Sequence, residues 1–179
     1  ALLVSGGHTD LVYMKKHGSI TWLGGTRDDA AGEAFDKIGR LLNLPYPAGP
    51  VIETLAKEGN EKFFDFPRPM IGSKDFDFSF SGLKTAVLYL DRDLKKKLGK
   101  NKLPRELISQ IAAEAQMAIV DVLVNKTVKA AQKHGTRSII LSGGVSANKL
   151  LRSELQKNAE QREIKYFQPS PEYTTDNAA

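Results

Sequence analysis

Two Ser-Gly-Gly turns, Ser5-Gly6-Gly7 and Ser142-Gly143-Gly144, and an acidic series between them, Asp29, Glu33 and Asp36, are the residues whose types and spacing could do chemistry. Glycine turns let backbone N–H groups converge on an anion, and Ser5 and Thr9 could add hydroxyl donors. The same turn also suits a simple hairpin. The second turn lies between an apolar run, Ser138-Ile139-Ile140-Leu141, and a helix start near Asn148, which is the physical setting for phosphate or adenosine binding. Asp29, Glu33 and Asp36 stand at i, i+4 and i+7 and should share one helix face. With Lys37 four residues after Glu33 that face reads as a solvated, salt-bridged one. The diglycine Gly24-Gly25 before it and the Pro45-to-Pro50 turn after it would nevertheless let a ligand approach the backbone at both ends. Lys84, in the first turn of a helix opened by Ser81, opposes the helix dipole unless it faces an anion. Asp176 stands where a helix begins and reads as an N-cap.

These residues require elements to hold them. Ala1 to Val4, Leu11 to Met14 and Ile20 to Leu23 read as a three-strand antiparallel meander. A helix should begin near Asp28 behind a Thr26/Asp29 capping box, with Ala31, Ala34, Phe35, Ile38, Leu41 and Leu42 as its buried stripe. A second short helix is expected from Val51 to Gly59. Phe63 to Phe80 is irregular but holds six phenylalanines, too many for a disordered linker, so it reads as an ordered loop packed on the core. The basic tract Arg92 to Lys102 is expected in a loop after the Ser81 helix. Its lysines Lys95, Lys96, Lys97, Lys100 and Lys102 are candidates for phosphate contacts, although a charge run is usually just solvated. Pro104 should start a long amphipathic helix with Ile108, Ile111, Ala115, Ile119, Val122 and Lys126 to Ala130 on its core stripe, ending at His134-Gly135. A strand, a helix through Leu155 and a last strand, Ile164 to Phe167, complete the order.

Composition bounds the classes. Hydrophobic residues make up 41% and charged residues 26%, ordinary for a globular chain, and no apolar run reads as approaching the roughly 18 residues of a membrane span. There is no cysteine, which excludes a disulfide framework or thiolate metal site and fits a reducing compartment, so cytoplasm is the expected location. A net charge of +5 suits a polyanionic partner without requiring one. A first strand already under way at Ala1, and a helix just starting at Thr175, suggest a fragment of a longer protein.

Glycine turns after two apolar strands, an acidic helix between them and a meander followed by helix, strand, helix and strand resemble the ribonuclease-H-like half of an actin-like ATPase or sugar kinase. The expected fold class is therefore α/β, a mixed sheet with an antiparallel three-strand meander and flanking helices. Five motifs in order, Leu3-Val4-Ser5-Gly6-Gly7-His8-Thr9, Asp28-Asp29-Ala30-Ala31-Gly32-Glu33-Ala34-Phe35-Asp36-Lys37, Phe78-Ser79-Phe80-Ser81-Gly82-Leu83-Lys84-Thr85, Ser142-Gly143-Gly144-Val145-Ser146-Ala147-Asn148 and Thr175-Asp176-Asn177-Ala178-Ala179, closely resemble the tRNA N6-adenosine threonylcarbamoyltransferase family. The likeness covers essentially the whole chain, and His8 after the first diglycine looks like the bacterial or organellar branch.

The resemblance implies transfer of the threonylcarbamoyl group from threonylcarbamoyl-adenylate to N6 of the adenosine 3′ of the anticodon, with AMP leaving. It implies that Leu3, Val4, Ser5, Gly6 and Gly7 hold the phosphate and carbamoyl region, and that Asp36, Gly49, Glu53 and Asn148 bind the nucleoside. It makes Asp176 a ligand of one divalent metal, iron or zinc, whose His ligands lie outside this chain, since His8, His17 and His134 do not match that motif. The partners implied are tRNA and accessory subunits, including a paralogous protein and a small ATPase, with no membrane. Residues 1–179 would be the second lobe of a two-lobed enzyme, with an inserted helical and loop region over about 51–134. Departures from the pattern are Ala48 for a frequent Gly, Glu53 for a common Asp and Leu3 for an occasional Tyr. A sugar or acyl-phosphate kinase of the same fold and a non-catalytic ATP-binding scaffold remain alternatives, although no catalytic Asp paired with a phosphate-binding Lys is found.

Overall fold

A computed structural model describes residues 1–170. Five strands form one mixed sheet in the order β3-β2-β1-β4-β5, where β1 is Leu2–Val4, β2 Thr9–Lys16, β3 Ser19–Gly25, β4 Ser138–Ser142 and β5 Lys165–Phe167. The first three strands pair antiparallel, whereas β4 runs parallel to β1 and β5 parallel to β4. This is the expected α/β class and meander. Alternation along the strands buries Leu2, Val4, Leu11, Ile139 and Leu141 on one face. The register places Leu3, Met14, Ile20, Trp22, Ile140 and Phe167 on the other face, where all six are exposed.

Five helices pack with one another and with the buried side of the sheet: α1 (Ala31–Leu41), α2 (Ala48–Ala56), α3 (Ser81–Leu98), α4 (Arg105–Lys133) and α5 (Lys149–Glu160), of which α4 and α5 meet β4 and β5. Of the stripe expected on α1, Ala31, Ala34, Phe35, Ile38 and Leu42 are buried and Leu41 is half-buried against the core. The helix starts at Ala31 and not near Asp28, for a reason given below. The second helix begins three residues earlier than Val51, behind Pro47. α4 is not amphipathic. Ile111 to Gln116 are buried without interruption, as expected of a helix packed all round. By length and hydropathy it could cross a membrane, but 72% of its most apolar window is buried inside the fold, so it is a core helix. The sequence reading, which found no such run, missed it because Glu114 and Asp121 interrupt it.

Residues 57–80 form a strap over α4, stapled by two buried charges. Glu114 accepts from Phe66 N–H (3.2 Å) and pairs with Arg68. Twelve residues along α4, the Lys126 ammonium donates to Ser73 Oγ (2.5 Å) and to the Asp75 carbonyl (3.0 Å), with its side chain 1% exposed. Of the six phenylalanines, Phe66, Phe78 and Phe80 are fully buried, Phe64 and Phe76 pack on the core, and Phe63 is exposed. The basic tract departs from the loop expected: Arg92 to Leu98 are the last turns of α3, which Gly99 closes in the left-handed conformation. Lysine is a good helix former, and Lys95 pairs with Asp91 one turn back (2.6 Å), so the charge run continues the helix.

Candidate functional site

The first turn of α1 docks on the β1–β2 turn. Ala31 N–H donates to Thr9 Oγ1 (2.8 Å), and Gly32 N–H to the Ser5 carbonyl (3.1 Å). A Cβ at Gly32 would stand 2.7 Å from Ser5 O and 2.9 Å from Gly6 Cα, so only glycine permits this contact. Thr9 is therefore a buried helix cap rather than an open hydroxyl donor. Ser5 Oγ accepts from the N–H groups of Gly7 (3.3 Å) and His8 (3.0 Å), which closes the turn on itself. The second turn meets the first, because Gly143, at φ +95°, lies so close to Val4 that a Cβ there would be 2.3 Å from its carbonyl oxygen.

Asp28 explains where the helix begins. Its carboxylate accepts from Ser79 Oγ (2.5 Å), Ser81 Oγ (2.8 Å), Phe80 N–H (2.8 Å), Ser81 N–H (3.3 Å) and Asp29 N–H (2.7 Å). Partial burial works against its ionisation, but these donors outweigh burial and hold the carboxyl below its ordinary value. Ser81 is thus the first residue of α3 and a donor to Asp28, with Phe80 at the cap position. Glu33 closes the start of α1 from inside by accepting Ala30 N–H (3.4 Å).

The acidic series does not share one face. Asp29 (2.5 Å) and Glu33 (2.8 Å) both hold Lys37, whose pKa is pushed up chiefly by the hydrogen bond it donates to Asp29. Lys84 lies 3.6 Å from Asp29, so the anion it faces is this carboxylate. Asp36 turns away and accepts Ala48 N–H (2.8 Å), tying α1 to the start of α2. The diglycine Gly24-Gly25 admits no ligand either, because a Cβ at Gly24 would strike the strap backbone at Phe76, 2.6 Å away.

Beside these ties opens a cavity of about 270 Å³ lined by Gly6, Gly32, Phe35, Asp36, Tyr46, Pro47, Gly49, Pro50, Glu53, Gly144, Val145, Ala147 and Asn148. It brings together Gly6, Asp36, Gly49, Glu53 and Asn148 from four separate stretches of the chain. Of the other residues singled out in the sequence, Ser5 and Gly7 complete the turn next to Gly6, Val4 is buried below it and Leu3 lies on the opposite sheet face. Asn148 is fixed at both ends: its Oδ1 accepts Leu151 N–H (3.0 Å) as the cap of α5, and its Nδ2 donates to Gln116 Oε1 (2.8 Å) on α4. Glu53 accepts Lys149 N–H (2.9 Å) at the same helix start. The wall thus combines carboxylates and a carboxamide with proline, glycine and aromatic surface, which suits a flat ring bearing hydroxyl or amino donors. Sequence reasoning missed Gln116, which is placed by a contact 32 residues away, and Tyr46, which it read only as part of a turn.

Among the described residues no three His, Asp or Glu side chains converge to hold a metal ion. The one ligand that the resemblance takes from this chain, Asp176, lies outside the described residues.

Sheet order and paired glycine turns define the class, a ribonuclease-H-like α/β protein. The fold is shared with HypF from T. kodakarensis, at a TM-score of 0.56 and 21% identity, over 89% of this chain and 19% of that one. Over residues 1–179 the sequence matches the family tRNA N6-adenosine threonylcarbamoyltransferase, and the chain belongs to that family. Curated relatives of that name are 51% identical in Thermosipho africanus (99% of this chain, 52% of the relative) and 49% identical in Moorella thermoacetica (100% and 51%). The relative in Geobacillus kaustophilus is 51% identical over 100% of this chain and 51% of its own length. The chain spans about half the length of the curated relatives it matches.

Proposed function

We propose that this chain forms the adenylate-binding lobe of a two-lobed enzyme that transfers threonylcarbamoyl from threonylcarbamoyl-adenylate to N6 of the adenosine 3′ of the anticodon, in tRNAs reading codons that begin with A. The reaction is acyl transfer to an amine: the new N–C bond forms, the C–O bond to the phosphate breaks, and AMP leaves as the amine loses its proton. The observation that carries the reading is the convergence of Gly6, Asp36, Gly49, Glu53 and Asn148 on one cavity. Asp36 and Glu53 would receive ribose hydroxyls, Gly49 would leave room for the base, and the touching glycine turns would lie at the phosphate end, with Leu3, Val4, Ser5 and Gly7 supplying backbone. In this reading the chain works in the cytoplasm, where its tRNA is, and meets accessory subunits there, among them a paralogous protein and a small ATPase. The iron or zinc ion of the resemblance would take Asp176 from this chain and its His ligands from elsewhere. Kinase chemistry has less support, because Lys84, the lysine that could have faced a phosphate, and Lys37 are both held by Asp29.

A Cβ at Gly49 would meet nothing within 4 Å, so Gly49→Leu starts a side chain in open space on the cavity wall. Calorimetric titration with AMP should show affinity at least tenfold weaker in this variant, with an unchanged melting temperature. Equal AMP affinity in wild type and Gly49→Leu would place the nucleotide elsewhere.

A further inference from the structure

Resting on that reading of the substrate as tRNA, we infer that the exposed face of α3 over its last three turns is a docking surface for RNA. Tyr89 is 53% exposed, and the Arg92 guanidinium lies 5.4 Å from its ring centroid. Lys96 continues the same stripe, since residues 89, 92 and 96 fall within one face of a helix. Lys100 and Lys102 extend the positive charge past Gly99. Lys96, Lys100 and Lys102 are exposed and none has a carboxylate partner among the described residues, whereas Lys95 is taken by Asp91. The one acid on the face, Asp93, touches only Arg92, at 3.8 Å.

Cations at a helix C-terminus also complement its dipole. That accounts for Lys95 to Lys97, but not for charges beyond the helix end, nor for an aromatic ring left in water under a guanidinium. A polyanion with stackable bases accounts for both: ammonium groups displace counterions from phosphates, and a tyrosine ring beside an arginine plane offers a stacking surface to an unpaired base. The face is anchored to the site, because Ser81 at the start of α3 is bonded to Asp28 (2.8 Å). Lys96 lies about 22 Å along the helix from that tie.

The test compares tRNA binding by the wild-type protein, a Lys96→Gln/Lys100→Gln/Lys102→Gln variant and Tyr89→Leu across a salt series, with AMP affinity measured on each. The triple variant should flatten the slope of log affinity on log salt by about 2 to 3, at roughly 0.7 to 0.9 per phosphate contact. Tyr89→Leu should weaken binding of an anticodon stem-loop about fivefold or more at an unchanged slope. AMP affinity should not move in either. If wild type binds tRNA and both variants match it in slope and affinity, the surface is refuted while the proposed transferase stands. If instead the triple variant loses binding to anionic phosphatidylserine vesicles but not to tRNA, the face is a lipid surface and the inference falls. A protein that binds tRNA through this face but binds no AMP would support the surface and sink the adenylate site.

Discussion

Five donors on one carboxylate make Asp28 the residue on which the start of α1, the end of the strap and the start of α3 depend together. Because its folded pKa is depressed, the unfolded chain binds the proton first, and the carboxylate contributes its full stability above its unfolded value of about 3.9 and loses it as pH falls through the depressed value. Asp28→Asn should cost about 1 to 2 kcal/mol at neutral pH, the low part of the range for charged hydrogen bonds because the group is open to water. Urea midpoints of wild type and variant should converge as pH falls below about 4 through the depressed value. A gap that persists at about pH 2 would mean that shape, not charge, is what Asp28 supplies. Nothing in the order of residues announced this role. Asp28 and Asp29 look alike in a helix-start pattern, and their opposite fates are decided by Ser79 and Ser81, 51 and 53 positions later. Asp36 was singled out through its motif, and it lines the cavity. Its separation from the Glu33–Lys37 face was not legible, because that comes from the amide of Ala48 in the next helix.

Elements were read more easily than their ends. Alternating strands and the buried stripe of α1 follow from period alone, so the meander and helix appear where expected. The lysines of α3 were placed in a loop because charge pattern does not distinguish a solvated helix face from a solvated loop. Close approach between elements was also invisible, and two glycine substitutions expose it. Gly32→Ala puts a methyl against the backbone of Ser5 and Gly6, whereas Gly82→Ala, in the first turn of α3, meets only Pro69 Cγ at 3.4 Å. The first change should destabilise by about 1 to 3 kcal/mol despite better helix propensity, and should weaken AMP binding, since Gly32 and Gly6 both line the cavity. The second should be neutral or stabilise by up to about 1 kcal/mol. Denaturant midpoints for the pair decide it: two changes of the same sign would refute the docking of α1 on the β1–β2 turn.

At the scale of the molecule, the helices cover one sheet face and leave an apolar stripe, from Ile20 and Trp22 on β3 to Phe167 on β5, in solvent among the described residues. An exposed stripe of this extent is a surface that other protein commonly covers. The other side is organised on α4, about 44 Å long, which contributes Gln116 behind Asn148 and holds the strap at Glu114 and Lys126. Lys126 then has a kinetic consequence. An amine-acylating reagent modifies solvent-accessible ammonium groups such as Lys96 or Lys100 as fast as it meets their free-base form, but it reaches the Lys126 nitrogen only after the strap lifts from α4. In a time course read by mass spectrometry, acylation at Lys126 should therefore lag every surface lysine and rise in step with mild denaturant, so that this one side chain serves as a clock for opening of the strap. Labelling of Lys126 at the surface rate in native buffer would show that the strap is already open.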